Sequence, residues 1–143
     1  MKTLLPLAVL LMTTALSAQG GQTFVARLAP VPITADQQTT VSGSGTATAS
    51  LEGRKLTVTG KFEGLRSPAT IARLHLAPRA SRGEPFAELK VSSGTSGTIS
   101  GTVDLTPQQL QALEKRSLYI QLHSEKAPEG NLWGWLMPQE TKR

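Results

Sequence analysis

The sequence predicts an all-β domain, an antiparallel Greek-key-like sandwich or partly closed barrel of about eight strands with one short helix. Three features point there. Apolar and polar residues alternate in short runs along most of the chain, the period-2 pattern of strands with one buried face. Clusters of Gly, Pro and Ser punctuate those runs. Only one segment carries a helix start signal.

The runs follow in order. Residues 22–29 place Phe24, Ala26 and Leu28 on one side, and Pro30 and Pro32 end the run. Residues 33–40 are polar and turn-like. Residues 40–50 are rich in Thr, Ser, Ala and Gly, which suits a strand packed closely against a neighbour. Glu52-Gly53 is a turn, and Leu56, Val58 and Phe62 share a face in the next run, so the two runs read as a hairpin. A break at 64–68 precedes a strand at 69–76. A loop at 77–85 holds Arg79, Arg82 and Gly83. Strands at 86–91 and 95–103 flank a Ser92-Ser93-Gly94 turn.

Thr106-Pro107-Gln108-Gln109 supplies an N-cap hydroxyl, proline at the first helical position and Gln three residues past the cap. The helix spans about 106–116 and ends near Lys115-Arg116, whose charges suit its C-terminal dipole. A strand at 118–123, a loop at 125–130 and a last strand at 132–137 complete the domain, which spans 21–138. Residues 139–143 are expected to fray.

Residues 1–20 read as a secretory signal peptide: Lys2, an apolar stretch at 4–12 interrupted by Pro6, then the small residues Ala15, Ser17 and Ala18. Cleavage is expected between 17 and 20. The apolar stretch is shorter than the roughly 20 residues of a spanning helix, so membrane contact is expected only during export. The product is expected to be secreted or held in the periplasm or cell envelope.

The chain has no cysteine, which excludes disulfides, Cys-type zinc or iron–sulfur sites and a thiol nucleophile. Its formal net charge of +5 is spread over Arg54-Lys55, Arg79, Arg82, Lys115-Arg116 and Lys142-Arg143. No dense basic tract with aromatics appears, so nucleic acid is not an expected partner. The charge reads as a solvated surface or as a weak attraction to anionic envelope polymers. No nucleophile motif, phosphate loop or HExxH is present, and Glu63, Glu84 and Glu88 cannot be paired from sequence. No enzymatic activity and no cofactor are expected.

Strand parity singles out one set of residues. In 71–76, Arg73 and His75 oppose Leu74 and Leu76. In 118–123, Tyr119, Gln121 and His123 oppose Leu118, Ile120 and Leu122. In 131–137, Trp133 and Trp135 oppose Leu132, Gly134 and Leu136. With the leucines in the core, Arg73, His75, Tyr119, Gln121, His123, Trp133 and Trp135 share the outer side. Both tryptophans lie in this set, in a chain only 4% aromatic. Two arrangements follow: an outward patch for binding, beneath the 77–85 loop, or a second small core that a loop simply covers.

The order of segments resembles the CHRD domain family, named for chordin and found in exported bacterial proteins. The resemblance rests on Phe24-Val25-Ala26-Arg27-Leu28 as an opening strand, 43–49 with Leu56-Thr57-Val58 as a first hairpin, Phe62-Glu63-Gly64-Leu65 with Pro68-Ala69-Thr70, Asp104 to Leu110 as the short helix, Tyr119-Ile120-Gln121-Leu122-His123-Ser124, and a closing segment at 128–136. Arg73 stands where the family has the first His of a His-x-His strand, His75 being the second. Asn131, Trp133 and Trp135 replace a Glu, an Arg and a Gln of the closing motif. The resemblance implies a β-sandwich that acts by binding an extracellular or envelope protein, or a second copy of itself. The two His strands are distantly similar to the copper-binding strands of copper–zinc superoxide dismutases. A copper-binding or vestigial dismutase-like domain, with His75 and His123 as candidate metal ligands, is therefore one alternative. Recognition of an envelope glycan through Trp133 and Trp135 is another.

Overall fold

The computed structural model describes residues 21–140. The predicted leader and the last three residues of the predicted frayed tail lie outside them. Nine strands alternate with two short helices: β1 (Gln22–Pro30), a 3-10 helix (Ala35–Thr39), β2 (Ser44–Glu52), β3 (Lys55–Glu63), β4 (Ala69–Leu76), β5 (Pro85–Val91), β6 (Gly97–Asp104), α1 (Pro107–Glu114), β7 (Leu118–Ser124), β8 (Ala127–Trp135) and β9 (Met137–Pro138).

Every pairing is antiparallel, in the order β2-β3-β6-β5-β4-β7-β8-β1-β9, and β1 also pairs with β2. The first eight strands thus close into a barrel, as the sequence predicts. β4, β5 and β6 form a meander. β6 returns beside β3 and β7 lies beside β4, so Greek-key order appears on both sides of the meander.

Two joints in the barrel are thin. β5 and β6 pair only at Lys90↔Ser100 and Val91↔Ile99. β1 follows β2 from Gln22 to Leu28, then leaves it and joins β8 at Ala29↔Trp133 and Pro30↔Leu132. This change of partner closes the barrel.

The alternating apolar residues fill the interior. Phe24, Ala26 and Leu28 of β1, Ala47, Ala49 and Leu51 of β2, Leu56, Val58 and Phe62 of β3, and Leu118, Ile120 and Leu122 of β7 form one buried cluster with Leu74, Leu89, Ile99, Leu132 and Leu136. α1 begins as its signals predict. The Thr106 hydroxyl accepts from the Gln109 N–H, the Gln109 side chain reaches back to the Thr106 N–H, and Pro107 fills the first turn. Leu105 and Leu113 anchor the helix against the core.

Three boundaries differ from the sequence reading. β2 begins at Ser44, because the chain before it winds into a 3-10 helix capped by Thr34 and Gln37. Part of the predicted 125–130 loop is strand: Ala127 pairs with Ser124, and a register shift after Leu122 absorbs the irregular Pro128–Gly130 stretch. The last run is split at Leu136, where the chain passes from β7 to β1. The Leu136 N–H donates to the Leu118 carbonyl, and Met137 then pairs with Val25. The Gln139 N–H donates to the Thr23 carbonyl and extends this contact.

At the β1–β8 joint the backbones pack directly. A Cβ on Gly134 would collide with the Arg27 carbonyl and press on the Leu28 side chain. Gly134→Ala is therefore expected to destabilise the domain by about 1–3 kcal/mol, in the manner of overpacking. A fall in the urea midpoint at unchanged m-value would show it; an unchanged midpoint would mean the joint can open without loss.

Candidate functional site

β7 lies between β4 and β8, and the register aligns the outward residues of the three strands. One cross-strand row is His75–Tyr119–Trp135; the next is Arg73–Gln121–Trp133; His123 sits beyond, opposite Ile71. All seven residues singled out by parity therefore share the outer face of one three-stranded sheet. Directly opposed side chains on such a face are in contact range.

The rows are packed as a second small core. The His75 and Tyr119 rings stack at 4.7 Å, Tyr119 and Trp135 lie 4.6 Å apart, and Trp133 meets Trp135 edge-on at 4.8 Å. These are favourable aromatic geometries. Tyr119 is 1% exposed, Gln121 4%, His75 6%, and His123 and Trp135 8% each. Trp133 is half-buried. Arg73 leans away to its cross-strand neighbour Glu88, 3.7 Å off on the surface.

Over the His75–Tyr119–Trp135 row the cover is the 77–85 loop. Its anchor is Gly83, whose N–H donates to the Tyr119 hydroxyl at 3.0 Å and whose carbonyl accepts from His75 Nδ1 at 2.7 Å and from the Tyr119 hydroxyl at 3.3 Å. At the near end of the loop Trp135 Nε1 donates to the Ala77 carbonyl at 2.9 Å. Arg82 lies over the Trp133 ring, 5.7 Å from its centroid, within the range of a cation–π contact. Only glycine fits at 83, because a Cβ there would run into the Leu76 carbonyl. The sequence placed Gly83 in the loop without a role; the glycine itself was the one signal for a close backbone approach.

The hydrogen bonds fix the histidine tautomers. A carbonyl only accepts, so His75 carries its proton on Nδ1 toward Gly83, and His123 carries its proton on Nδ1 toward the Pro128 carbonyl at 2.9 Å. His123 Nε2 then accepts from Gln121 Nε2 at 3.2 Å. That amide also points at the Glu129 carbonyl, so the opposite amide orientation would set oxygen against two acceptors. His75 Nε2, Gln121 Oε1 and Asn131 Oδ1 are left buried without partners, although Asn131 Nδ2 donates to Ser124 Oγ at 2.8 Å.

Both imidazoles are held neutral. Burial pushes His75 below the ordinary value of 6.5, and Arg73 acts the same way, while the Gly83 carbonyl and Glu84 pull upward. Burial likewise lowers His123, aided by Arg73, His75 and Arg82 and opposed by the Pro128 carbonyl.

These roles do not fit a copper centre. His123 uses both ring nitrogens within the protein, and only Nε2 of His75 is free to donate a lone pair. Among the described residues no three His, Cys, Asp or Glu groups gather into a possible metal site. Two arginines raise the local positive charge felt by His123, which opposes a cation.

One part of the outer face stays open. A groove of about 450 Å³ runs between β1, β8 and the start of the 77–85 loop, and Val25, Arg27, Arg79, Trp133, Trp135 and Met137 line it. No carboxylate is among its lining residues. Arg27 and Arg79 were not singled out from the sequence. Arg27 becomes a neighbour of Trp133 and Trp135 only through barrel closure.

Two outcomes follow. Tyr119→Phe leaves the Gly83 N–H without its acceptor, so a loss of about 1–3 kcal/mol is expected, with faster tryptic cleavage at Arg79 and Arg82. Unchanged cleavage would show that the hydroxyl does not hold the loop. The second outcome concerns pH. Because both folded-state histidine pKa values lie below 6.5, the unfolded chain takes up protons first as pH falls. Stability is full above pH 6.5 and is lost as pH falls from there toward the folded-state values. The melting temperature should drop between pH 7 and 5, and His75→Gln with His123→Gln should flatten that drop. Asp36, lowered from 3.8 chiefly by the Thr34 hydroxyl, acts only at lower pH.

The family model of the CHRD domain matches residues 24–136, from the third residue of β1 to the break between β8 and β9. No curated protein and no solved structure matches the chain. With a match over nearly all of the described barrel, the chain belongs to the CHRD domain family.

Proposed function

We propose that this CHRD-domain protein is exported and non-enzymatic, and that it binds a component of the cell envelope or the space beyond it. The groove between β1, β8 and the 77–85 loop is its binding surface. One observation carries this reading: the half-buried Trp133 opens onto this groove, whose lining it shares with Arg27 and Arg79 and with no acid. Clustered aromatic and arginine side chains at a partly open surface are the usual anchors of binding sites.

The absence of turnover is supported by how the titratable groups are used. The imidazoles, the groups best suited to proton transfer near neutral pH, are held neutral beneath a loop and bonded to backbone carbonyls. Export is supported by the leader pattern at 1–20. The family is not known for catalysis.

The test is fractionation of producing cells followed by cosedimentation with their envelope fragments. The protein recovered outside the cytoplasm should begin between residues 18 and 21 and should sediment with envelopes. Arg79→Ser with Trp133→Ala should leave it in the supernatant with its β-sheet circular dichroism intact. Equal sedimentation of the variant would remove the groove from the reading. Retention of the protein in the cytoplasm would remove export.

A further inference from the structure

We infer that the occupant of the groove is a polyuronate, a polysaccharide with a carboxylate on each sugar ring, lying across the outside of β1. This rests on the groove being the binding surface.

A second, larger cleft of about 570 Å³ lies on the other side of β1, where that strand parts from β2. The parting has a simple cause. Leu28↔Gly45 is the last β1–β2 pair, and the next residue, Ala29, pairs with Trp133 of β8. Leu28 and Phe62 contribute apolar surface to this cleft, while Lys61 and Glu63 supply its charges along with Arg27. Arg27 and Ala29 line both openings, so the two form one track that crosses β1 at Arg27. Along it stand Arg79, Arg27 and Lys61, with Arg82 beside Trp133; Glu63 is the one carboxylate among the lining residues. Charge complementarity calls for an extended anion.

The backbone argues against a peptide strand as that anion. β1 is paired with β2 from Gln22 to Leu28 on one edge. On the other it is paired with β9 at Phe24 and Val25 and with β8 at Ala29 and Pro30, and Gly134 packs on the Arg27 carbonyl between them. No free row of N–H and C=O groups remains on β1 for strand addition. Recognition falls to side chains, and those on offer are an indole surface and guanidinium forks. The Trp133 indole, half-buried with Arg82 over its ring, offers its remaining apolar surface to the C–H face of a pyranose ring. The forks match carboxylates in two-point contact. A polyphosphate would satisfy the cations and leave the indole unused.

The test uses the purified exported protein and polygalacturonate, followed by calorimetry and tryptophan emission. Dextran, polyphosphate and polyglutamate serve as comparison ligands, each at low and high salt. Polygalacturonate is expected to bind, to shift the tryptophan emission and to weaken with salt as a charged contact should. Arg27→Ser with Arg79→Ser, both exposed positions, should weaken it by about tenfold or more, since each removes a charge-assisted hydrogen bond. Trp133→Phe should weaken it further while leaving polyphosphate unaffected. The inference is overturned by no binding, or by polyphosphate or polyglutamate binding as tightly. If one of those binds as tightly and the double arginine variant abolishes it, the polyuronate is wrong and the groove stands. If polygalacturonate binds and no groove variant weakens it, the groove itself is wrong.

Discussion

The outer face of the β4–β7–β8 sheet depends on one contact, the Gly83 backbone seated on the His75–Tyr119 pair. Strand alternation sends the leucines of these strands into the barrel and leaves an equal number of side chains outside. Here those include four stacked and edge-packed rings, whose apolar faces gain from being covered. The loop supplies the cover, and it can do so only by bringing its backbone against β4, which glycine alone permits. The two hydrogen-bonding groups of Gly83 are then satisfied by the same two residues they protect. Ala77 and Trp135 repeat the device at the near end of the loop.

That contact also sets the chemistry of the face. A carbonyl accepting from Nδ1 fixes the His75 tautomer, and burial beside arginines keeps both imidazoles uncharged. The rings therefore behave as flat, neutral packing surfaces, and the positive charge of the region belongs to Arg27, Arg73, Arg79 and Arg82.

Much of the barrel was legible because its signals are local. Period-2 alternation, Gly53 in a tight turn and the Thr106–Gln109 capping pattern each specify structure within a few residues. Parity alone gathered the seven outer-face residues, since side-chain direction in a strand is a local property. What sequence could not supply was everything that closure decides. The change of β1 from β2 to β8 joins Arg27 to Trp133, residues far apart in the chain. The choice between exposed patch and covered core turned on whether the 77–85 loop folds back, which depends on Gly83 meeting Leu76. The 127–130 strand was hidden because Pro128 and Gly130 have loop composition, and only the register shift beside them accommodates both.

Hydrogen exchange at the Gly83 amide addresses the central contact most directly. A glycine amide in a polar loop should exchange rapidly when it faces water. If the loop is clamped as described, the Gly83 N–H, bound to the Tyr119 hydroxyl, will exchange far more slowly than the amides of Arg79 and Arg82 on the same loop. Exchange at the same rate as those neighbours would mean that the loop stands open and that the aromatic rows are exposed.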